Sequence, residues 1–197
     1  MIKIKKLQTI KNKIVDGPLL LKPIVFQDNR GYFYEYWNQS NFNKVLGNNI
    51  YFTQDNISFS CKGVIRGLHY QINPKPQGKL ITCRKGSIFD VAVDLRKSSD
   101  TFGKYIYAYL DEQNKDQLWV PEGFAHGFMA LSENTEVQYK VQGSRDINYE
   151  RSIKWDDSDL NINWPILINR IDKIILSEKD RIAPSFKNIL KAGDHFN

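Results

Sequence analysis

Three histidines stand out in the sequence, because imidazole titrates closest to neutrality and is the commonest metal ligand. His69 closes the strand-like run RGLHYQ, His126 sits in PEGFAHGF, and His195 lies two residues from the C-terminus, where a frayed tail is expected. A metal centre on a β scaffold would use a His-x-His pair, a glutamate and a later histidine. The chain reads His69-Tyr70-Gln71 where that pair would fall, and no carboxylate is spaced to complete a three- or four-ligand set, so no metal is expected. An isolated histidine in such a run reads first as a partly buried side chain with its hydrogen bonds satisfied.

Other polar residues occupy apolar β context that a pure core would avoid. Gln54 and Asn56 alternate onto one strand face, Lys79 precedes Leu80-Ile81, and Tyr139 shares a face with Val137 and Val141. Each has an innocent reading: a face turned to water, a snorkelling lysine, a core tyrosine with a satisfied hydroxyl. Together they suggest a polar cavity lined by strands.

The elements that would position these residues are mostly strands. Period-two patterning in aromatic and β-branched residues marks 32–37, 50–59, 63–70, 87–95, 104–110 and 136–141. Short turn-forming stretches separate them, which favours a sandwich, barrel or jelly roll over alternating β/α units. Helical pattern is sparse. Ser40 could cap a segment bearing Phe42, Val45 and Leu46 and ending at Gly47; Ser177 opens a capping box, SEKD, with Phe186, Ile189 and Leu190 continuing at helical spacing to Gly193. Residues 142–170, polar and irregular with two tryptophans, read as a covering loop region.

Composition bounds the rest. A chain of 197 residues, 41% hydrophobic and 25% charged, suits a globular fold rather than disorder, and residues 1–197 are expected to form a single domain. At this length folding buries roughly 70% of the unfolded surface without a disulfide framework or structural metal. Two cysteines with no CxxC or Cys/His spacing favour a reducing compartment. No export signal and no stretch near the ~18 apolar residues of a membrane span is visible, so no membrane partner is expected and a cytoplasmic location is. The net charge of +6 gathers mainly in Lys3, Lys5, Lys6, Lys11 and Lys13, interleaved with Ile2, Ile4 and Leu7 as on a half-exposed edge strand. With no aromatic RNA-binding signature or zinc-finger spacing, no nucleic-acid partner is expected.

The order and spacing of whole motifs go further. DNRGYFYE (28–35), FTQDNISFS (52–60), GVIRGLHYQ (63–71), QGKL (77–80), FDVAVDLRKSSDTFGK (89–104), LWVPEGFAHGF (118–128), QYK (138–140), WDDSDLNINWP (155–165) and LSEKD (176–180) succeed one another with characteristic gaps. From about Leu19 to Pro184 the sequence resembles the dTDP-4-dehydrorhamnose 3,5-epimerase family. The resemblance implies an all-β, cupin-type jelly roll (double-stranded β-helix) with a few short peripheral helices, usually a homodimer. It implies an isomerase without metal or organic cofactor, acting on a dTDP-linked 4-keto-6-deoxy sugar. Such an enzyme inverts C3 and C5, whose hydrogens the C4 carbonyl acidifies.

Inversion requires an acid and a base on opposite faces of the sugar. By resemblance His69 is the base, with an unperturbed pKa of about 6.5, and Tyr139, a phenol of pKa about 10, is the acid. Lys79 would stabilise the enolate at the C4 oxygen. Asp180 would orient the histidine, although it is also the fourth residue of the SEKD capping box. Arg30, Glu35, Gln54, Asp55, Asn56, Arg66, His126, Glu150 and Lys179 occupy positions associated with substrate binding, Arg and Lys suiting a nucleotide diphosphate. For His126 a backbone-bonded turn is the competing role.

Two points stand apart from this pattern. Strict alternation puts Arg66 and His69 on opposite faces, so both line one cavity only if the chain bulges, plausibly at Gly67. And where many relatives carry a pair of tyrosines after Tyr139 and Lys140, this chain has Ser144 and Arg145, which bears on nucleotide preference, on the sugar, and on the order and extent of epimerisation. A single-carbon epimerase, an epimerase of another nucleotide-linked 4-keto sugar, and a non-catalytic sugar-nucleotide-binding module on the same scaffold are the competing readings.

Overall fold

A computed structural model of the chain describes residues 2–197. Its elements in order are β1 (Lys3–Gln8), β2 (Ile14–Lys22), β3 (Val25–Asp28), β4 (Gly31–Tyr34), α1 (Gln39–Leu46), β5 (Phe52–Ser60), β6 (Ile65–Gln71), β7 (Lys79–Lys85), β8 (Ser87–Asp94), β9 (Tyr105–Asp111), β10 (Gln117–Val120), β11 (Phe124–Ala130), β12 (Thr135–Gln142), β13 (Glu150–Ser152), α2 (Glu178–Arg181) and α3 (Phe186–Ala192).

The strands form a six-stranded sheet, β1-β2-β10-β7-β12-β5, a five-stranded sheet, β13-β6-β11-β8-β9, and the separate hairpin β3-β4. From β5 to β13 the chain changes sheet at every step except the β8–β9 hairpin. The sheets face one another across a shared core, in which Ile81, Leu118 and Val137 of the first meet Ile88, Ala92 and Phe128 of the second. Antiparallel sheets threaded in this alternating order are a jelly roll, as expected.

A second core lies outside the five-stranded sheet, where Phe89, Val91 and Val93 pack with Ile153, Leu160, Trp164, Ile189 and Phe196. Thus β8 is buried on both faces, and the 142–170 region acts as the expected cover while also supplying β13. The Trp164 indole donates to the Trp155 carbonyl at 2.9 Å. The C-terminus is not frayed: the Phe196 amide donates to the Leu95 carbonyl at 2.9 Å, and its ring is buried near Tyr70. An apolar residue close to the end gives the tail something to bury.

Local chemistry moves several boundaries. The strand expected over 32–37 stops at Tyr34, because Glu35 turns to accept hydrogen bonds from the Asn38 and Asn41 side chains. Asn38 rather than Ser40 caps α1, its Oδ1 accepting the Asn41 amide, and Gly47 closes the helix as expected. The C-terminal helical pattern splits in two. Pro184 interrupts it, since a proline disfavours helical backbone in the residue before it, and Ser185 caps a new helix. β1 is an edge strand with its lysines exposed.

The decisive irregularity lies between β6 and β11. His126 opposes His69, but Phe128 opposes Arg66, so two steps along β11 match three along β6. This bulge turns Arg66 and His69 into one cavity. Gly67, at φ +129°, is required there: a Cβ would lie 2.5 Å from the Gly127 Cα and 2.8 Å from the His126 carbonyl. Gly67→Ala is expected to cost at least about 2 kcal/mol in urea unfolding. Gly47→Ala, at φ +68° but with open space around it, should cost about 1 kcal/mol. Equal losses would show that the close approach to β11 is not what demands glycine.

Candidate active site

One cavity of about 530 Å³ opens at the end of the jelly roll, with walls from both sheets. The five-stranded sheet contributes Arg66 and His69 from β6 and His126 from β11. The six-stranded sheet contributes Gln54, Asn56 and Ser58 from β5, Lys79 from β7 and Tyr139 from β12. His69 and Tyr139 therefore belong to different walls of one space.

His69 Nε2 lies 2.5 Å from Asp180 Oδ1. The carboxylate arrives on α2, where Ser177 Oγ accepts the Asp180 amide at 3.2 Å. The Ser177 cap therefore forms, but Asp180 does not close the capping box; its side chain turns to His69, under the further influence of the Ser177 hydroxyl and the Gly67 amide. Burial works to raise the Asp180 carboxyl, yet these partners bring it below its ordinary value. With a proton held on Nε2 toward Asp180, Nδ1 carries the lone pair that a base needs. Burial lowers the His69 pKa, opposed by the Asp180 hydrogen bond and charge.

Lys79 begins β7 at the cavity edge. Burial pulls its ammonium down to about 8, while the charges of Glu150 and Asp90 oppose the shift and that of Lys179 adds to it. The Tyr139 hydroxyl lies 3.1 Å from Ser58 Oγ, and burial raises its pKa, so the phenol stays protonated at neutral pH. His126 packs edge-on against the Tyr139 ring, centroids 6.2 Å apart, with Nε2 2.5 Å from Asp90 Oδ1. A buried carboxylate rather than backbone thus satisfies this histidine.

The remaining expected residues divide. Glu150 accepts from Arg145 and Lys179, each at 3.0 Å, with Glu150 and Arg145 lining the cavity and Lys179 beside them. Arg66 donates to Ser60 Oγ and the Phe59 carbonyl. Besides Lys179, three residues do not line the cavity of their own chain. Arg30 pairs with Asp28 at 2.7 Å in the exposed β3–β4 turn. Glu35 anchors the start of α1. Asp55 pairs with Lys140 at 3.0 Å, because strand alternation sends it to the face opposite Gln54 and Asn56.

Reading the sequence missed Ser58 and Asp90. Ser58 continues the period-two series of Gln54 and Asn56, which was a usable signal. Asp90 was marked only by an acid inside the apolar run 88–93; its partner His126 comes from another strand. Among the described residues no three His, Cys, Asp or Glu side chains cluster as metal ligands.

A cavity that can take a proton on one wall, return one from the other and steady negative charge between them marks an enzyme of the acid–base isomerase class on a jelly-roll frame. Known proteins narrow the class. The family model described as dTDP-4-dehydrorhamnose 3,5-epimerase matches residues 12–188, and the chain belongs to that family. It is 49% identical over 174 residues to the dTDP-4-dehydrorhamnose 3,5-epimerase of Shigella flexneri, covering 88% of this chain and 93% of that one. Among solved structures it resembles the dTDP-6-deoxy-D-glucose-3,5-epimerase of Legionella pneumophila in complex with dTDP-4-keto-L-rhamnose, with TM-score 0.88 and 37% identity, covering 99% and 98% of the two chains. It also resembles ChmJ, a 3'-monoepimerase from Streptomyces bikiniensis in complex with dTDP-quinovose, with TM-score 0.85 and 28% identity, covering 93% and 90%.

The His69–Asp180 contact can be tested without substrate. The His69 imidazole should titrate below 6.5 by NMR, and lower still in Asp180→Asn, because the hydrogen bond and charge that oppose burial are weakened. An unchanged or higher value in the variant would show that Asp180 does not hold the ring as described.

Proposed function

We propose that the chain is a sugar-nucleotide 3,5-epimerase converting dTDP-4-dehydro-6-deoxy-D-glucose to dTDP-4-dehydro-L-rhamnose, with residues 1–197 acting as one domain in the cytoplasm. The observation that carries this reading is that His69 of the five-stranded sheet and Tyr139 and Lys79 of the six-stranded sheet line one cavity. Among the described residues no helix is long and apolar enough to cross a membrane.

His69 removes the proton at C3 or C5 through Nδ1, and Asp180 stabilises the imidazolium that forms. The electron pair moves to the C4 oxygen, where the Lys79 ammonium faces more charge in the enolate than in the ketone. Preorganised groups of this kind contribute about 3–4 kcal/mol to an oxyanion. Tyr139 returns a proton to the opposite face, completing the inversion, and the sequence repeats at the second carbon. No electrons are gained or lost overall. Gln54, Asn56, Arg66, His126, Glu150 and Lys179 bind the substrate around this centre.

Arg30 and Glu35 fit the same reading if the working unit is a homodimer. The hairpin that bears Arg30 exposes Phe26 and Phe33 by 63% and 72%, and Ile57 and Phe59 are exposed on the outer face of β5 beside Asp55. A second copy seated there covers this apolar surface and brings the hairpin to the neighbouring cavity. A second reading, inversion at one carbon, is favoured by the likeness to a 3'-monoepimerase.

Turnover in D₂O should place deuterium at both C3 and C5, and His69→Ala should abolish exchange while the protein stays folded. Label at one carbon alone would establish the single-carbon reading, and tight binding without exchange the non-catalytic module. The kcat/KM profile should rise as His69 loses its proton, below pH 6.5, and fall past about 8 as Lys79 is discharged. A profile flat to pH 10 would show that the lysine's charge is not needed. Sedimentation should give a dimer, and co-expressed Arg30→Ala and His69→Ala chains should recover about a quarter of wild-type turnover, half the dimers being mixed with one complete site each. No recovery would place Arg30 outside the partner's site.

A further inference from the structure

The hydroxyl of Ser58 meets that of Tyr139 on the cavity wall, with Oγ 3.1 Å from the phenol oxygen. Among the described residues neither oxygen has another hydrogen-bond partner. The contact is built into the sheet. Ser58 of β5 stands opposite Val137 of β12, so Ser58 and Tyr139 are diagonal neighbours on the cavity face. β5 is the edge of the six-stranded sheet, and Arg66 holds that edge from the facing sheet. Its Nε donates to Ser60 Oγ at 3.1 Å and its Nη2 to the Phe59 carbonyl at 2.9 Å, which fixes the backbone just beyond Ser58.

Either oxygen can donate in the resting pair, and the two directions have opposite consequences. If Tyr139 donates to Ser58, its proton points along the wall, away from the sugar. If Ser58 donates, the phenol oxygen accepts through a lone pair and its own proton is free to point into the cavity. Once that proton has moved to carbon, one direction survives. A phenolate has no hydrogen to give, so the Ser58 hydroxyl donates to it, and a hydrogen bond to a charged oxygen is stronger than one to the neutral phenol. Ser58 thus does more for the state after proton transfer than for the state before it, which is what raises a rate. Tyr139 needs that help: burial and the charge of Asp90 both oppose its ionisation, and besides Ser58 the charge of Arg66 favours it.

We infer that Ser58 is the positioning residue of the acid, its hydroxyl aiming the Tyr139 proton at the sugar and holding the phenolate that is left. The inference rests on Tyr139 acting as the acid of an epimerase. In the step it serves, the phenol O–H bond breaks, a C–H bond forms at the enolate carbon and the negative charge passes to the phenolate. Ser58 keeps its own proton throughout.

Turnover of wild type, Ser58→Ala and Ser58→Thr in D₂O tests it, with recovered substrate and product both analysed by NMR. In Ser58→Ala, His69 still removes the proton, but delivery from the other wall slows, and the imidazolium returns a deuteron to the face it came from. The alanine variant should lose about 10–100-fold in kcat with KM within about twofold of wild type. It should also place more deuterium than wild type in recovered substrate of unchanged configuration, per product formed. Ser58→Thr keeps the hydroxyl on a residue suited to a strand and should restore both the rate and the tie between label and inversion. In a Tyr139→Phe background, Ser58→Ala should cost nothing further, since the group it acts through is gone. Should alanine unfold the edge strand, Ser58→Val against Ser58→Thr makes the same comparison at equal shape. Wild-type kcat in the alanine variant, a loss that threonine does not restore, label that stays tied to inversion, or a further loss on top of Tyr139→Phe each overturns the inference. Failure of the epimerase reading shows elsewhere: wild type itself would neither label nor invert, and this inference would fall with it.

Discussion

The hydrogen bond between His69 and Asp180 joins positions 111 residues apart, and the geometry of the site is organised around it. It needs the Ser177 cap to present Asp180 on a single turn of helix and the Pro184 break to end that segment. It also needs the bulge at Gly67 to rotate His69 into the cavity. The Gly67 amide also helps hold the same carboxyl's pKa down, so the irregularity that aims the histidine bears on its partner too. A carboxylate this deeply buried is tolerable because it is paired with the imidazole. The C-terminal segment is thus an integral wall of the site.

Burial acts on His69, Tyr139 and Lys79 in a consistent direction. It favours the neutral form of each: imidazole free to accept, phenol with its proton, ammonium moved toward neutrality. Nearby carboxylates then decide how far each shift goes. Glu150 and Asp90 oppose the fall at Lys79, and Asp180 limits the fall at His69. Asp90 bonds His126 through one oxygen while its Oδ2 is buried without a hydrogen-bond partner among the described residues.

Much of this was legible in the sequence, and the gaps have physical causes. Strands with one wet face, such as β5, β9 and β12, announced themselves by alternation. Strand β11 is buried throughout, so its residues show no alternation, and PEGFAHGF read as a tight turn leading into a strand. Strand β10 is only four buried residues long. His69, Lys79, Tyr139, Asp180, Gln54, Asn56, Arg66, His126 and Glu150, singled out from the sequence, line one cavity, and Gly67 sits at the bulge that alternation required. Asp55 shows the limit of a motif: it lies between Gln54 and Asn56 in sequence but on the other side of the strand. Pairings such as His126 with Asp90 depend on strand register, which no local pattern encodes.

Since the two walls of the cavity belong to different sheets, the gap between imidazole and phenol is not set by any residue in the cavity. It is set by the thickness of the core beneath, where Ala92 and Ala108 of the five-stranded sheet meet Ile81 and Val137 of the six-stranded one. Those side chains act as spacers in a calliper, and an added methylene at Ala92 would open its jaws while touching no substrate. Natural variation in such hidden positions is therefore a route by which a scaffold of this kind can retune its chemistry without altering a single polar group.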